Sequence, residues 1–144
     1  MLAPAFASLL ALTAALLGTA AASPVKNATP ETAAAETQFS ALASGRFTWY
    51  NTGLGACGWW NNDNELVAAL NHVDFDPYTP NGNPNNNSLC GRRIRVSYGG
   101  RSVDVTVVDR CPSCNSGDLD LSPAAFRALA DLNTGVIYGT WNWI

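Results

Sequence analysis

The chain has 144 residues, room for one medium domain with flanking sequence, and its 8 Lys and Arg against 11 Asp and Glu give a net charge near -3. That balance excludes a nucleic-acid protein that works by neutralising phosphates over a broad basic surface. Only 13% of residues are charged while 47% are hydrophobic, but much of the apolar share is alanine ahead of residue 45, so the folded part is shorter than the chain.

Residues 1–22 carry no charged side chain, and a Leu/Ala run over residues 6–17 leads to the small residues Ala20-Ala21-Ala22. This is the layout of a secretory signal with a small-residue cleavage site, and it falls short of the ~20 apolar residues of a membrane span. A signal peptide cut after Ala22 is expected, with a mature protein that is secreted, extracellular or in the cell wall, and has no membrane attachment. Residues 23–44 are mostly Ala, Thr, Pro and Glu. They cannot bury enough surface to offset their ordering entropy, which predicts a flexible leader. Asn27-Ala28-Thr29 and Asn86-Asn87-Ser88 are glycosylation sequons, making Asn27 and Asn86 the candidate acceptors.

Residues 45–144 form one stretch of about 100 residues, the size of a single domain. It contains all four cysteines, and an even count in a secreted chain favours disulfides over free thiols. Of the three possible connectivities, a local closure of Cys111-Pro112-Ser113-Cys114 is preferred. It leaves Cys57 to bridge Cys90 across a loop of about 34 residues, worth about 4 kcal/mol by the chain-entropy argument. A C-x-x-C also raises redox or zinc chemistry. No strand-to-helix redox context precedes Cys111, however, and the one histidine is His72, for which a surface or structural role is expected. Neither a metal nor an organic cofactor is expected.

The elements read as mostly β. Residues 46–51 alternate aromatics and Thr as a first strand; Ile94, Val96 and Tyr98 alternate with Arg93, Arg95 and Ser97; and Gly99-Gly100 turns into a second strand over residues 102–109, a hairpin. Val103, Val105 and Val107 share one face of that strand, with Asp104, Thr106 and Val108 on the other and Asp109 at its end. Ser122-Pro123 is a helix N-cap followed by proline at the first helical position, predicting a helix through Leu132 that Asn133-Thr134-Gly135 ends. Residues 136–143 are a last strand, on which Trp141 and Trp143 point the same way. Residues 76–88, rich in Asn, Pro and Gly, read as a long loop.

The order Thr48-Trp49-Tyr50, Gly55-Ala56-Cys57-Gly58, Cys90-Gly91, Val105 through Cys111, Asp118-Leu119-Asp120-Leu121-Ser122 and Gly135-Val136-Ile137 resembles the rare lipoprotein A-like double-psi β-barrel. Barwin, the first domain of expansins and one class of endoglucanases share that superfamily. The resemblance spans residues 45–144 and implies a mainly β fold, a disulfide-stabilised six-stranded double-psi β-barrel with one or two short helices. Its nearest shape is the small secreted single-domain version common in fungi. In expansins the matching segment is His-Phe-Asp-Leu-Ser, whose Asp corresponds to Asp120 and lies in a polysaccharide groove, while Asp118 replaces the His. Thr48 and Tyr50 match a Thr-x-Tyr that faces the same groove, and Asp109 matches the Asp of barwin's Val-Asp-Gln-Cys. The related endoglucanases carry a catalytic base shortly after the Thr-x-Tyr, where this chain has Asn51 and Thr52.

Inverting glycoside hydrolysis needs two carboxyl groups, one acid and one base. Asp120 is the candidate acid and Asp109 the candidate base if the fold brings it across the groove. Each also has a purely structural reading, as an acceptor of backbone N–H bonds, and Asp118 is expected to be solvated. Neither is assigned as catalytic. Consecutive Trp59-Trp60 cannot both point inward on a strand, so one is expected at the surface as a sugar-stacking contact. The expected substrate-binding set is Thr48, Tyr50, Asp109, Asp120, Trp59 and Trp60.

These residues point to a non-hydrolytic module, expansin-like or barwin-like, that binds or loosens cell-wall polysaccharide. The alternative is a secreted protein-binding module, such as a cysteine-protease inhibitor or a host-directed effector, with residues 76–88 or the Trp59-Trp60 loop as the contact. A weak glycosidase or lytic transglycosylase is the third reading. A monomer is expected, with polysaccharide or a secreted protease, but no nucleic acid, as its partner.

Overall fold

A computed structural model describes residues 41–144. The expected signal peptide, nearly all of the expected leader and Asn27 lie outside the described residues. Six strands, β1 (Ala43–Trp49), β2 (Val67–Asn71), β3 (Arg93–Tyr98), β4 (Arg101–Cys111), β5 (Leu119–Leu121) and β6 (Ile137–Trp143), are joined with two short helices, α1 (His72–Phe75) and α2 (Pro123–Leu129). The strands close in the order β1-β5-β2-β4-β3-β6. Closure leaves every strand paired on both sides, which removes the exposed edges on which β proteins aggregate.

The β3–β4 hairpin runs in register from Arg93↔Thr106 to Tyr98↔Arg101. Gly99 and Gly100 sit at φ 57° and 77°, the pair of left-handed residues that a tight two-residue hairpin turn requires. Val103, Val105 and Val107 point into the barrel, where they meet Phe47, Leu70, Ile94, Val96, Leu119 and Leu121. Trp141 is buried in the same core, and Trp143 meets it edge-on with ring centroids 5.5 Å apart, so the two do share a side.

β1 starts at Ala43, three residues ahead of the strand start expected at residue 46, because Ala43 and Ser44 pair with Trp141 and Thr140 of β6. β2 has no counterpart among the elements expected from sequence. All five of its residues are buried, since it lies between β4 and β5 and is covered on both faces, so it lacks the alternation that marks a half-buried strand. The helix after Ser122 is shorter than expected. Ser122 caps it by accepting from Ala125 N–H at 3.2 Å, but the backbone turns extended at Ala130. Asp131 then caps a separate 3₁₀ turn by accepting from the Asn133 N–H. The long loop is not structureless either. It folds into three 3₁₀ turns, Asp76–Tyr78, Pro80–Gly82 and Pro84–Asn86. Buried Asn87 holds them from inside, donating to the Phe75 carbonyl at 2.7 Å and to Thr79 Oγ1 at 2.8 Å while accepting from Leu89 N–H at 2.8 Å.

Disulfides join Cys57 to Cys90 and Cys111 to Cys114. The first ties the loop after β1 to the end of the 3₁₀ segment across a sequence separation of 33. Replacing both Cys57 and Cys90 by Ser should lower the unfolding free energy by about 4 kcal/mol, read from urea denaturation of the oxidised protein and the variant; a loss under ~1 kcal/mol would show that the bridge constrains little.

Candidate functional site

The barrel's pairing places four residues in one row on its outer face. Thr48 of β1 is opposite Asp120 of β5, Asp120 is opposite Ala69 of β2, and Ala69 is opposite Asp109 of β4. Paired residues point to the same side of a sheet, so two carboxylates flank one alanine, which is itself buried. Tyr50, one step beyond β1, packs against Ala69 and the Cys111–Cys114 disulfide beside this row. Thr48 Oγ1 donates to Asp120 Oδ1 at 2.9 Å.

Asp109 reaches this face through an irregularity in β4. Strict alternation would put it with Val103, Val105 and Val107, inside the barrel. Between Ala68 and Ala69 the register with β4 slips: Ala68 is opposite Val107, Ala69 is opposite Asp109, and Val108 is the extra residue of a β-bulge. The bulge turns Asp109 outward. Its Oδ1 then accepts from Ala56 N–H at 2.7 Å and from its neighbour Arg110 N–H at 2.8 Å. The Val108 carbonyl accepts from Cys57 N–H at 3.2 Å. Gly55 must be glycine for this docking, because a Cβ there would lie 2.5 Å from the Val108 oxygen.

Burial pushes the Asp120 carboxyl above its ordinary range; the Thr48 hydrogen bond and Arg46 pull it back, and the Asp109 charge raises it further. Burial also holds the Tyr50 phenol well above its usual range, aided by the charges of Asp109 and Asp120 and by its hydrogen bond to Asp109. Tyr50 is therefore a neutral donor at any physiological pH, while Asp120 offers carboxyl oxygens that can accept from a hydroxylated ligand.

The sequence reading missed one carboxylate. Asp63, twelve residues after Asn51, folds back onto the segment that follows Tyr50, accepting from Thr52 N–H at 2.7 Å, Thr52 Oγ1 at 3.1 Å and Asn51 Nδ2 at 2.8 Å. The backbone bond from Thr52, then that from Asn51, hold it below the usual carboxylate range. A carboxylate with three donors and a lowered proton affinity is a loop clamp and a poor general base. Its only sequence signal was the turn-rich Asn61-Asn62-Asp63-Asn64 run. Asp118, expected in solvent, is buried instead. It accepts from the backbone N–H of Arg46 at 2.8 Å and of Asn115 at 3.1 Å, fixing the start of β5 against β1. His72 is structural, with Nδ1 2.9 Å from the Cys114 carbonyl oxygen.

Trp59 and Trp60 are both exposed, at 46% and 77%, on a short loop that the Asp109–Ala56 bond anchors to the row. Trp60 forms a bridge with Leu54, also exposed, and Trp59 lies over Gly91. Among the described residues, no group of three or more His, Cys, Asp or Glu side chains is arranged to hold a metal ion, and no helix is long and apolar enough to cross a membrane. Asn86, the second sequon acceptor, is exposed at the end of its 3₁₀ turn.

A family model described as lytic transglycolase, a double-psi β-barrel family, matches residues 42–141. A papain inhibitor of Streptomyces mobaraensis is 39% identical over 117 residues, covering 78% of each chain. The solved structure of a Streptomyces papain inhibitor superposes with a TM-score of 0.66 at 41% identity, covering 72% of this chain and 94% of that one. An expansin of Clavibacter michiganensis, solved in complex with cellohexaose, superposes with a TM-score of 0.59 at 28% identity over 72% of this chain and 50% of that one.

The raised Asp120 has a signed consequence. Its folded-state proton affinity exceeds that of an ordinary aspartate, so the native state binds more protons in the window just above the usual carboxylate range and stability falls as pH rises through it. Asp120→Asn removes this decline and keeps an amide oxygen to accept from Thr48. Relative to the parent, the variant should gain stability between pH 3 and pH 7 in urea unfolding; a variant that instead lost stability over that span would show that the ionised Asp120 is stabilised by the fold.

Proposed function

Given that the chain belongs to the double-psi β-barrel family described as lytic transglycolase, we propose that its outer-face row is a groove that binds neutral cell-wall polysaccharide without cleaving it. One observation carries this reading: Thr48, Asp120, Ala69 and Asp109 lie side by side across four strands, with Tyr50 packed beside them. The row offers an uncharged phenol, a hydroxyl and two carboxyl groups, the donor and acceptor mixture that sugar hydroxyls match. Trp59 and Trp60 supply apolar faces next to it, on which pyranose rings stack. The expansin solved with cellohexaose supports this substrate class.

Hydrolysis by inversion would need a carboxylate free to take a proton from water, opposite the acid. Asp120 suits the acid. Asp109 has Oδ1 filled by two backbone N–H groups and also receives the Tyr50 hydroxyl, while Asp63 is saturated by Thr52 and Asn51. The groove therefore binds and positions a chain, and neither carboxylate is available as the base. Secretion belongs to the same reading, supported by the two disulfides, which form and persist outside the cytosol; a monomeric state and glycosylation at the exposed Asn86 are part of it.

A second reading, inhibition of a papain-type protease, draws on the Streptomyces relative, nearly all of whose length this chain covers. The exposed Leu54, Trp59 and Trp60 would then be the contact, a compact apolar projection suited to a protein cleft.

Co-sedimentation with insoluble cellulose, chitin and peptidoglycan, run beside papain inhibition and release of soluble oligosaccharide, separates the readings. The parent should bind at least one polymer, and Asp120→Asn should weaken that binding about tenfold while Trp60→Ala weakens it by a comparable factor. Papain inhibition without polymer binding would replace the groove reading with the protease one. Release of soluble sugar at several per second, abolished by Asp109→Asn, would make Asp109 the base and the protein an enzyme.

A further inference from the structure

A second cleft lies away from the Asp120 row, sharing none of its residues. It encloses about 430 Å³, in the size range of small-ligand sites, and is walled by Ser44 of β1, Val73 and Asp74 of α1, Tyr78, and Trp141 and Trp143 of β6. Asp74 is the one charged residue among those lining it. Its carboxylate is held in place by Asn71, whose Nδ2 donates to Oδ2 at 2.7 Å and whose Oδ1 accepts the Asp74 backbone N–H at 2.9 Å. Among the described residues no Lys, Arg or His forms an ion pair with Asp74. The same cleft is also walled by a rigid aromatic corner. The Trp141 indole N–H donates to the Gly117 carbonyl at 2.9 Å, and the Trp141 and Trp143 rings meet at 84°.

We propose that this cleft binds a small organic cation, an ammonium or guanidinium carried on an apolar body. The charged head sits at Asp74 and the body lies against the Trp141–Trp143 corner. The assignment of ends follows from Arg92, which does not line the cleft but lies over the Trp143 ring at 5.3 Å from its centroid. The tryptophan side already faces a cation, and the carboxylate side does not. A half-buried carboxylate without a cationic partner favours a charged head over a neutral one, because the pair forms at reduced water content. Flat rings favour an aryl or branched alkyl body by the area they cover. An anion of the same shape would meet Asp74 and is excluded.

Titrating the full chain with phenethylammonium and with its neutral counterpart 2-phenylethanol tests this, with NMR shifts of the Trp141 indole N–H and the Gly117 amide as the readout. The ammonium should bind about tenfold more tightly than the alcohol, and Asp74→Asn, which keeps an acceptor for Asn71, should reduce that ratio to about twofold or less. Val73→Arg, at a rim position already 47% exposed, places a cation of the chain's own beside the site and should abolish ammonium binding without unfolding the protein. Should Asp74→Asn fail to fold, Val73→Arg decides alone. Equal affinity for the two ligands in the parent, shifts confined to the Thr48–Asp120 row, or no shift at millimolar ligand would each overturn the proposal.

Discussion

The extra residue Val108 in β4 is the constraint from which the arrangement of the groove follows. Without it, Asp109 would continue the inward alternation of Val103, Val105 and Val107 and bring a carboxylate into the hydrocarbon core, at a cost of several kcal/mol unless protonated or paired. The bulge instead uses the register slip beside Ala69 to turn Asp109 outward. It also frees the Val108 carbonyl, normally a ladder acceptor, to bind Cys57 N–H in the loop after β1. One inserted residue thus sets a carboxylate in the row and anchors the loop that carries Trp59 and Trp60. The Cys57–Cys90 disulfide reinforces the same anchor, so the loop is held by a backbone bond, a bond to a side chain and a covalent link at two adjacent residues, Ala56 and Cys57.

What the sequence made legible was local. The Gly99-Gly100 turn, the alternation of β3 and β4 and the Ser122-Pro123 cap depend on neighbours a few residues away, so their patterns survive in one dimension. The motif order around Thr48, Cys57, Asp109 and Asp120 added the barrel through resemblance, which residue periodicity could not supply. β2 was hidden because a strand buried on both faces has no alternation, and Val-Ala-Ala-Leu-Asn reads equally as helix. Asp63 was hidden because its partners, Asn51 and Thr52, are polar residues that would serve as well in a solvated turn. Asp118 was misread for a related reason: its burial follows from pairing across a sequence separation of 72 with the Arg46 N–H. The helix end was misplaced because helix propensity continues through Leu132, whereas the Trp49 indole takes the Leu132 carbonyl at 3.0 Å and favours the separate turn.

The electrostatics of the groove are set by burial more than by pairing. Asp104 and Asp76 are held low by bidentate arginines, Arg95 and Arg110, in bonds of 2.6 to 2.8 Å, yet these pairs are exposed and contribute little to stability. Asp120 has no such partner. Its strongest contact is a neutral hydroxyl, and its proton affinity rises because the site excludes water. The Arg110–Asp76 pair has a positional effect instead, tying the residue after Asp109 to the first 3₁₀ turn of the Asn-rich segment.

The β1–β5 pair joins the Asp120 row to the tryptophan-walled cleft. Its strands run parallel, and their starts press together so closely that a Cβ on Gly45 would lie 2.3 Å from the Gly117 oxygen, and one on Gly117, at φ 83°, would lie 2.2 Å from the Ser44 oxygen. Ser44 and Gly117 line the tryptophan-walled cleft, while Thr48 and Asp120, a few residues further along the same strands, line the groove. Because the strands run the same way, the contact that shapes the cleft also fixes the register in which Thr48 meets Asp120. Asp118 locks that contact by accepting the Arg46 N–H at 2.8 Å, an N–H that would otherwise have to find another partner. A side chain at either glycine would force the two strands apart at their starts, and the displacement would propagate through a ladder only three residue pairs long before reaching Asp120. The two glycines are therefore as much a part of the groove as the residues that line it.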